Sequence, residues 1–144
     1  MTFYRFDYSN FPEVKVLFIK NIEKKHVKTF FDECLTIYNH KTPFYMIYDT
    51  SSLYTAPPNF IYKLVRFIKK IKKMEEEYLI KSILIATDTI FARCLLNSAM
   101  SFTNPAADLY IYWKKEDDNS INVNNINMIL EKAPELFQCM KAND

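Results

Sequence analysis

Glycine is absent from all 144 residues, where ordinary usage of about 7% would supply roughly ten. The absence removes whole reaction classes. A phosphate-cradling P-loop, a GxGxxG dinucleotide turn and a GxSxG nucleophile elbow each need backbone that only glycine tolerates close to a ligand. Turns must instead be built from Asn, Asp and Pro. Histidine is nearly absent too. His26 sits in a lysine-rich helix start and His40 in a polar loop, neither with a carboxylate or cysteine at ligand spacing, so no metal site is expected. The three cysteines, Cys34, Cys94 and Cys139, are far apart and form no CxxC. Without a secretion signal, an odd number argues against a disulfide framework. Cys34 and Cys94 lie among apolar neighbours and are expected to be buried free thiols.

Long apolar runs are missing as well. The longest are broken by Lys81, Asp88 or Arg93, so no membrane span is expected. The N-terminus carries Arg5 and Asp7 where a signal peptide needs an apolar stretch, so the chain reads as intracellular and cytoplasmic. Net charge is only +2, which makes a general nucleic-acid binder unexpected. What the chain has in abundance is rings: ten Tyr, twelve Phe and one Trp. They imply a core filled with aromatics.

The stretch at 44–71, FYMIYDTSSLYTAPPNFIYKLVRFIKKI, organises the rest. An apolar burst at 44–48 runs into Asp49, a polar loop follows, and an amphipathic helix starts near Pro58. That is half of a βαβ unit. Upstream, residues 2–8 and 14–19 are β-rich around a turn at Pro12 and predict an N-terminal hairpin over 2–20. Residues 22–39 place Val27, Phe30, Phe31, Cys34, Leu35 and Tyr38 at helical spacing. Downstream, 82–87 (SILIAT) reads as a second interior strand and 90–101 as a helix burying Phe91, Cys94, Leu95, Ser98, Ala99 and Phe102. A last strand is expected at 109–113, and a C-terminal helical segment over 122–140. The predicted fold is therefore a single α/β domain over 1–144. Its order is β-β-α-β-α-β-α-β-α, on a mixed, mainly parallel sheet.

That order resembles the STAS domain, the fold of bacterial anti-sigma-factor antagonists, over about residues 12–132. The strand ending in Asp49 before Ser52-Leu53 stands where the family has its strand and acidic-apolar loop. The strand at 82–87 followed by Phe91-Ala92-Arg93-Cys94-Leu95-Leu96 looks like the family's next strand and helix. The positions of the family's Asp-Ser-Ser-Gly switch hold Ala56-Pro57-Pro58-Asn59 here. The resemblance thus carries a fold and a partner-binding role without the phosphorylatable serine. The CRAL-TRIO lipid-binding domain has a similar strand-helix order, and its likeness implies a lipid pocket.

Two surfaces are candidate sites. Asp49, Thr50, Ser51 and Ser52 leave one interior strand and Thr87 and Asp88 leave another, beside Thr55 and Asn59 at a helix start. Strand-end crevices of this kind hold ligands in open α/β sheets, although Ser, Thr and Asp also gather there simply to close turns and caps. Ser51, Ser52 and Thr55 are candidate phosphorylation sites, because phosphate is favoured beside a helix start. The second surface is a basic ridge, Lys63, Arg66, Lys70 and Lys73, suited to an anionic partner or to being the wet side of its helix. With no catalytic motif and no cofactor expected, the sequence favours a non-enzymatic protein-interaction or scaffold module, as a subunit of a larger assembly or self-associating. A lipid- or small-ligand-binding domain of CRAL-TRIO type is the alternative, and a small hydrolase or transferase using Asp49 is a third.

Overall fold

In the computed structural model, which describes residues 2–142, the elements run β1 (Tyr4–Asn10), β2 (Glu13–Phe18), α1 (Lys24–Tyr38), β3 (Phe44–Asp49), α2 (Phe60–Lys72), β4 (Leu79–Thr87), α3 (Ile90–Met100), β5 (Asp108–Lys114) and α4 (Ile126–Lys132). A 3-10 turn at Pro134–Leu136 and β6 (Gln138–Met140) complete the chain. The six strands form one sheet in the order β1-β2-β3-β4-β5-β6. The hairpin and both interior strands stand where the sequence placed them.

The sheet is mixed and not mainly parallel, which corrects the expectation. β2 through β5 run parallel, but each edge carries an antiparallel strand. At one edge only Phe11 and Pro12 join β1 to β2, and a connection that short can only turn the chain back. At the other edge α4 has seven residues, about 10 Å of helix, against roughly 23 Å for the seven-residue β5. The helix cannot carry the chain back to the start of the sheet, so the return is completed by β6 lying against Leu109, Tyr110 and Ile111. The expected helical segment over 122–140 is corrected by the same fact. Helix and 3-10 turn occupy only part of it, and its last three residues are strand.

Because each parallel strand is the neighbour of the next, crossovers of one hand put all their helices on one face. The core divides accordingly. Val14, Val16, Phe18 and Met46 pack with Val27, Phe30, Phe31, Cys34 and Ile37 of α1, with α2 and α3 adding half-buried residues to the same cluster. Ile47, Ile83 and Ile85 face the other way, against Val123, Ile126 and Leu130. Alternation along β3 and β4 thus feeds two cores, which is why these strands are apolar on both faces.

Phe30 is the hub of the first core. Its ring lies 5.1–5.8 Å from those of Phe3, Tyr4, Phe6, Phe18 and Phe31, most of them tilted or edge-on. Such pairs add to the area that the rings bury. At the end of α1 the missing glycine is felt directly. Lys41 adopts φ 51°, the left-handed conformation that glycine usually supplies after a helix, and its N–H donates to the Tyr38 carbonyl at 3.2 Å.

Helix α3 corrects two burial expectations. Its inward stripe is Phe91, Leu95 and Ala99, spaced four apart, with Ala99 fully buried. Cys94 lies one position off that stripe, about 100° around the helix, and is exposed. Phe102 falls beyond the last helical turn and is 65% exposed. Cys34 is buried as expected.

Candidate functional site

Of the polar residues singled out at the strand ends, Asp49, Ser51 and Thr87 are joined by hydrogen bonds, and Thr50 is tied to the neighbouring strand. Backbone N–H and Oγ1 of Thr50 both donate to the Ile85 carbonyl at 2.9 Å, locking the loop after β3 onto β4. Thr87, itself buried, donates through Oγ1 to the Ser51 carbonyl at 3.2 Å. Asp49 closes its own turn, accepting from the backbone N–H of Ser51 at 3.0 Å and also from the Ser51 hydroxyl. The next peptide groups, Tyr54 N–H and Thr55 N–H, donate to Asn21 Oδ1 at 2.6 and 3.0 Å. Asp88 pairs with Arg93 at 2.6 Å. That hydrogen bond holds its carboxyl below the usual carboxylate range, and the same guanidinium lies 4.2 Å from the centre of the Trp113 ring. Ser52 and Thr55 are exposed. Asn59 precedes α2 without making a side-chain cap bond, and its Oδ1 is buried with no partner among the described residues. In this cluster the polar atoms mostly satisfy one another, as turns and caps require.

The basic ridge stays at the surface. Arg66, Lys70 and Lys73 are exposed and Lys63 is half-buried. Arg66 lies over the Tyr62 ring at 5.6 Å. Tyr4 is buried, Tyr8 stacks on Phe6 and donates to Glu33 Oε2 at 2.9 Å, and Tyr110 belongs to the α4 core. Among the described residues no group of three or more His, Cys, Asp or Glu could hold a metal ion.

A different feature lies beneath the polar cluster. Between the sheet and α1, α2 and α3 is a cavity of about 210 Å³. It extends from Phe44, Leu79 and Leu109, where their strands begin, to Thr50, Leu53 and Trp113, where they end. Its lining is almost wholly aliphatic and aromatic, and among the described residues it includes no Lys, Arg, Asp, Glu or His. The helices are held off the sheet for a local reason. Ala86, Ala92, Ala106 and Ala107 all line the space, and small residues leave a gap that the larger ones opposite do not fill. Leu64, Phe67, Ile68 and Ile71 of α2 and Leu84 of β4 face it and remain only half-buried. A second, more polar depression shares Tyr38, Ile71, Leu79, Ala106 and Ala107 with the cavity and adds Lys72, Glu76, Glu77 and Asp108.

Few polar side chains reach the cavity. Two of them, Thr50 Oγ1 and Trp113 Nε1, are already bonded, the latter to Gln138 Oε1 at 2.7 Å. Cys34, Tyr38, Tyr48 and Ser82 are the others. Burial pushes the Cys34 thiol well up, with Glu33 adding to it. Burial likewise raises the phenols of Tyr38 and Tyr48, and the neighbouring Cys34 adds to both. All three groups are therefore neutral at ordinary pH.

This cavity escaped the reading of the sequence, which expected a core filled with aromatics. The signal for it was a set of alanines and a serine, at 82, 86, 92, 106 and 107, facing large rings. Compared with known protein families, characterised proteins and solved structures, the chain shows no match in any of the three.

Proposed function

We propose that the protein binds a small apolar molecule in the cavity between its sheet and helices α1–α3. The observation that carries this reading is the cavity itself, about 210 Å³ with an uncharged, nearly all-apolar lining. An apolar cavity of about 150 Å³ stays dry and takes up benzene or xenon. The larger space here suits a short alkyl chain or a pair of fused rings. Apolar walls with a few placed polar groups are also the usual make-up of a small-molecule site. The lipid pocket implied by the CRAL-TRIO resemblance points the same way, which puts ligand binding ahead of the interaction module.

A protein-interaction role of STAS type has a different support. Ile90 is 85% and Phe102 65% exposed, but Ile90 opens the 11-residue α3 and Phe102 follows its end, so they lie about 18 Å apart along it. Isolated apolar residues are normal on a surface. The cavity is the stronger support.

Trp113 is the chain's single tryptophan and lines the cavity, so its fluorescence reports occupancy. Titration with naphthalene is expected to give a saturable change at one molecule per chain, lost in Ala92→Leu. No saturable change in the folded wild-type protein would refute the proposal.

A further inference from the structure

The hydroxyls in the cavity narrow the class of ligand, given that the cavity is a binding site. Ser82 on β4 is 7% exposed and Tyr48 on β3 is half-buried. Both line the cavity, and neither hydroxyl makes a hydrogen bond among the described residues. They stand on the same face of neighbouring parallel strands. Ser82 is paired with Met46, and Tyr48, two residues further along, with Leu84. A hydroxyl that faces apolar walls without a partner is unfavourable, and native interiors normally supply one. Here the space in front of the two groups is the cavity.

The charge pattern of the lining restricts what could supply the partner. Among the described residues no cationic side chain lines the cavity, so a carboxylate or phosphate drawn inside would lose its water and gain no counter-charge. No anionic side chain among them lines it either, which disfavours an ammonium in the same way. Lys72, Glu76, Glu77 and Asp108 all lie in the adjoining depression outside. A neutral oxygen has no such penalty and can accept from both hydroxyls.

We infer that the ligand is an uncharged amphiphile, a hydrocarbon body carrying one neutral oxygen (an alcohol, aldehyde, ketone or ester), whose oxygen is bound by Ser82 Oγ and Tyr48 Oη. The hydrocarbon lies among Leu64, Phe67, Leu84 and Leu95, and selection between ligands of equal length is made by those two hydroxyls. Burial keeps Tyr48 protonated, so it remains a donor across the physiological range.

The test is a set of Trp113 fluorescence titrations at about pH 8 with n-octane, n-octanol, octanoate and n-octylammonium, repeated on Ser82→Ala and Tyr48→Phe. Tyr48→Phe keeps the ring, and Ser82→Ala removes one atom, so both variants retain the packing, which their melting temperatures check. The expected result is that n-octanol binds at least about tenfold tighter than either ion. Each substitution is expected to weaken n-octanol about fivefold to tenfold and leave n-octane unchanged. If n-octane binds but octanoate or n-octylammonium equals or exceeds n-octanol, the inference fails while the cavity reading survives. The inference fails in the same way if neither substitution weakens n-octanol. If none of the four compounds binds, the cavity reading fails and this inference with it.

Discussion

Helix α1 and the pair α2–α3 pack on the same face of the same sheet, yet they are held very differently. α1 buries Val27, Phe30, Phe31, Cys34 and Ile37. α2, almost as long, buries only Phe60 and Val65, and α3 only Ala99. The difference follows from what the strands present. Beneath α1 the sheet offers Val14, Val16 and Phe18 together with the ring cluster of β1. Beneath α2 and α3 it offers Ser82 and Ala86, and the helix above contributes Ala92. Large side chains facing large ones close the gap, whereas small ones leave the cavity. One end of this domain supplies stability, and the other gives up part of its packing to keep an internal space.

The sharpest way to break that comparison is a matched pair of truncations. Phe30→Ala removes the hub of the ring cluster and is expected to lose about 3–5 kcal/mol of unfolding free energy, a large part of the usual total of about 5–15. Phe67→Ala, at a half-buried position, is expected to lose clearly less than Phe30→Ala. Urea denaturation measures both, and equal losses would erase the contrast. Native-state hydrogen exchange probes the same difference without mutation. Amides of α1 are expected to exchange only through global unfolding, and those of α2 and α3 through a local opening of lower free energy. Identical protection across the three helices would mean that they move as one block.

The opposite manipulation is to fill the space. Ala92→Leu is expected to stabilise the protein by about 1 kcal/mol while abolishing uptake of apolar ligands. Destabilisation instead would show that the region is already close-packed.

The smallest expected effect is on alkaline stability. Cys34 and Tyr38 of α1 and Tyr48 of β3 have raised folded-state values. As pH climbs past the ordinary thiol value of 9.0, the unfolded chain releases a proton that the folded chain retains. The folded state then binds more protons, so stability falls with rising pH. The melting temperature is expected to be level near neutrality and to decline above about pH 9. In Cys34→Ala the first part of that decline should be shallower, and an unchanged curve would show that the thiol contributes nothing to it.

The sequence made the scaffold legible wherever pattern and packing coincide. Residues 44–48 and 82–87 are apolar on both faces because each strand feeds two cores, and the stripe from Val27 to Tyr38 is regular because α1 is fully seated. The strand ends were legible too. Ser51 and Thr87 do meet, and Thr50 is bonded to β4, but as satisfied turns. β6 was missed because three residues after a proline turn carry no periodicity of their own. The cavity was missed because periodicity reports which side chains point inward and not whether they meet. Cys94 and Phe102 were misplaced for a related reason. α3 has apolar residues all round, and a helix seated over a void gives little to choose between its faces.

Diffraction from crystals held under xenon pressure tests most directly whether the space between sheet and helices is open. Xenon enters apolar cavities without needing any particular head group. A xenon atom is expected between the sheet and helices α2 and α3, ringed by Met46, Leu64, Leu84 and Leu95, and none there in Ala92→Leu. Well-ordered side chains closing that space, with no xenon in the wild-type protein, would contradict the cavity and the function proposed for it.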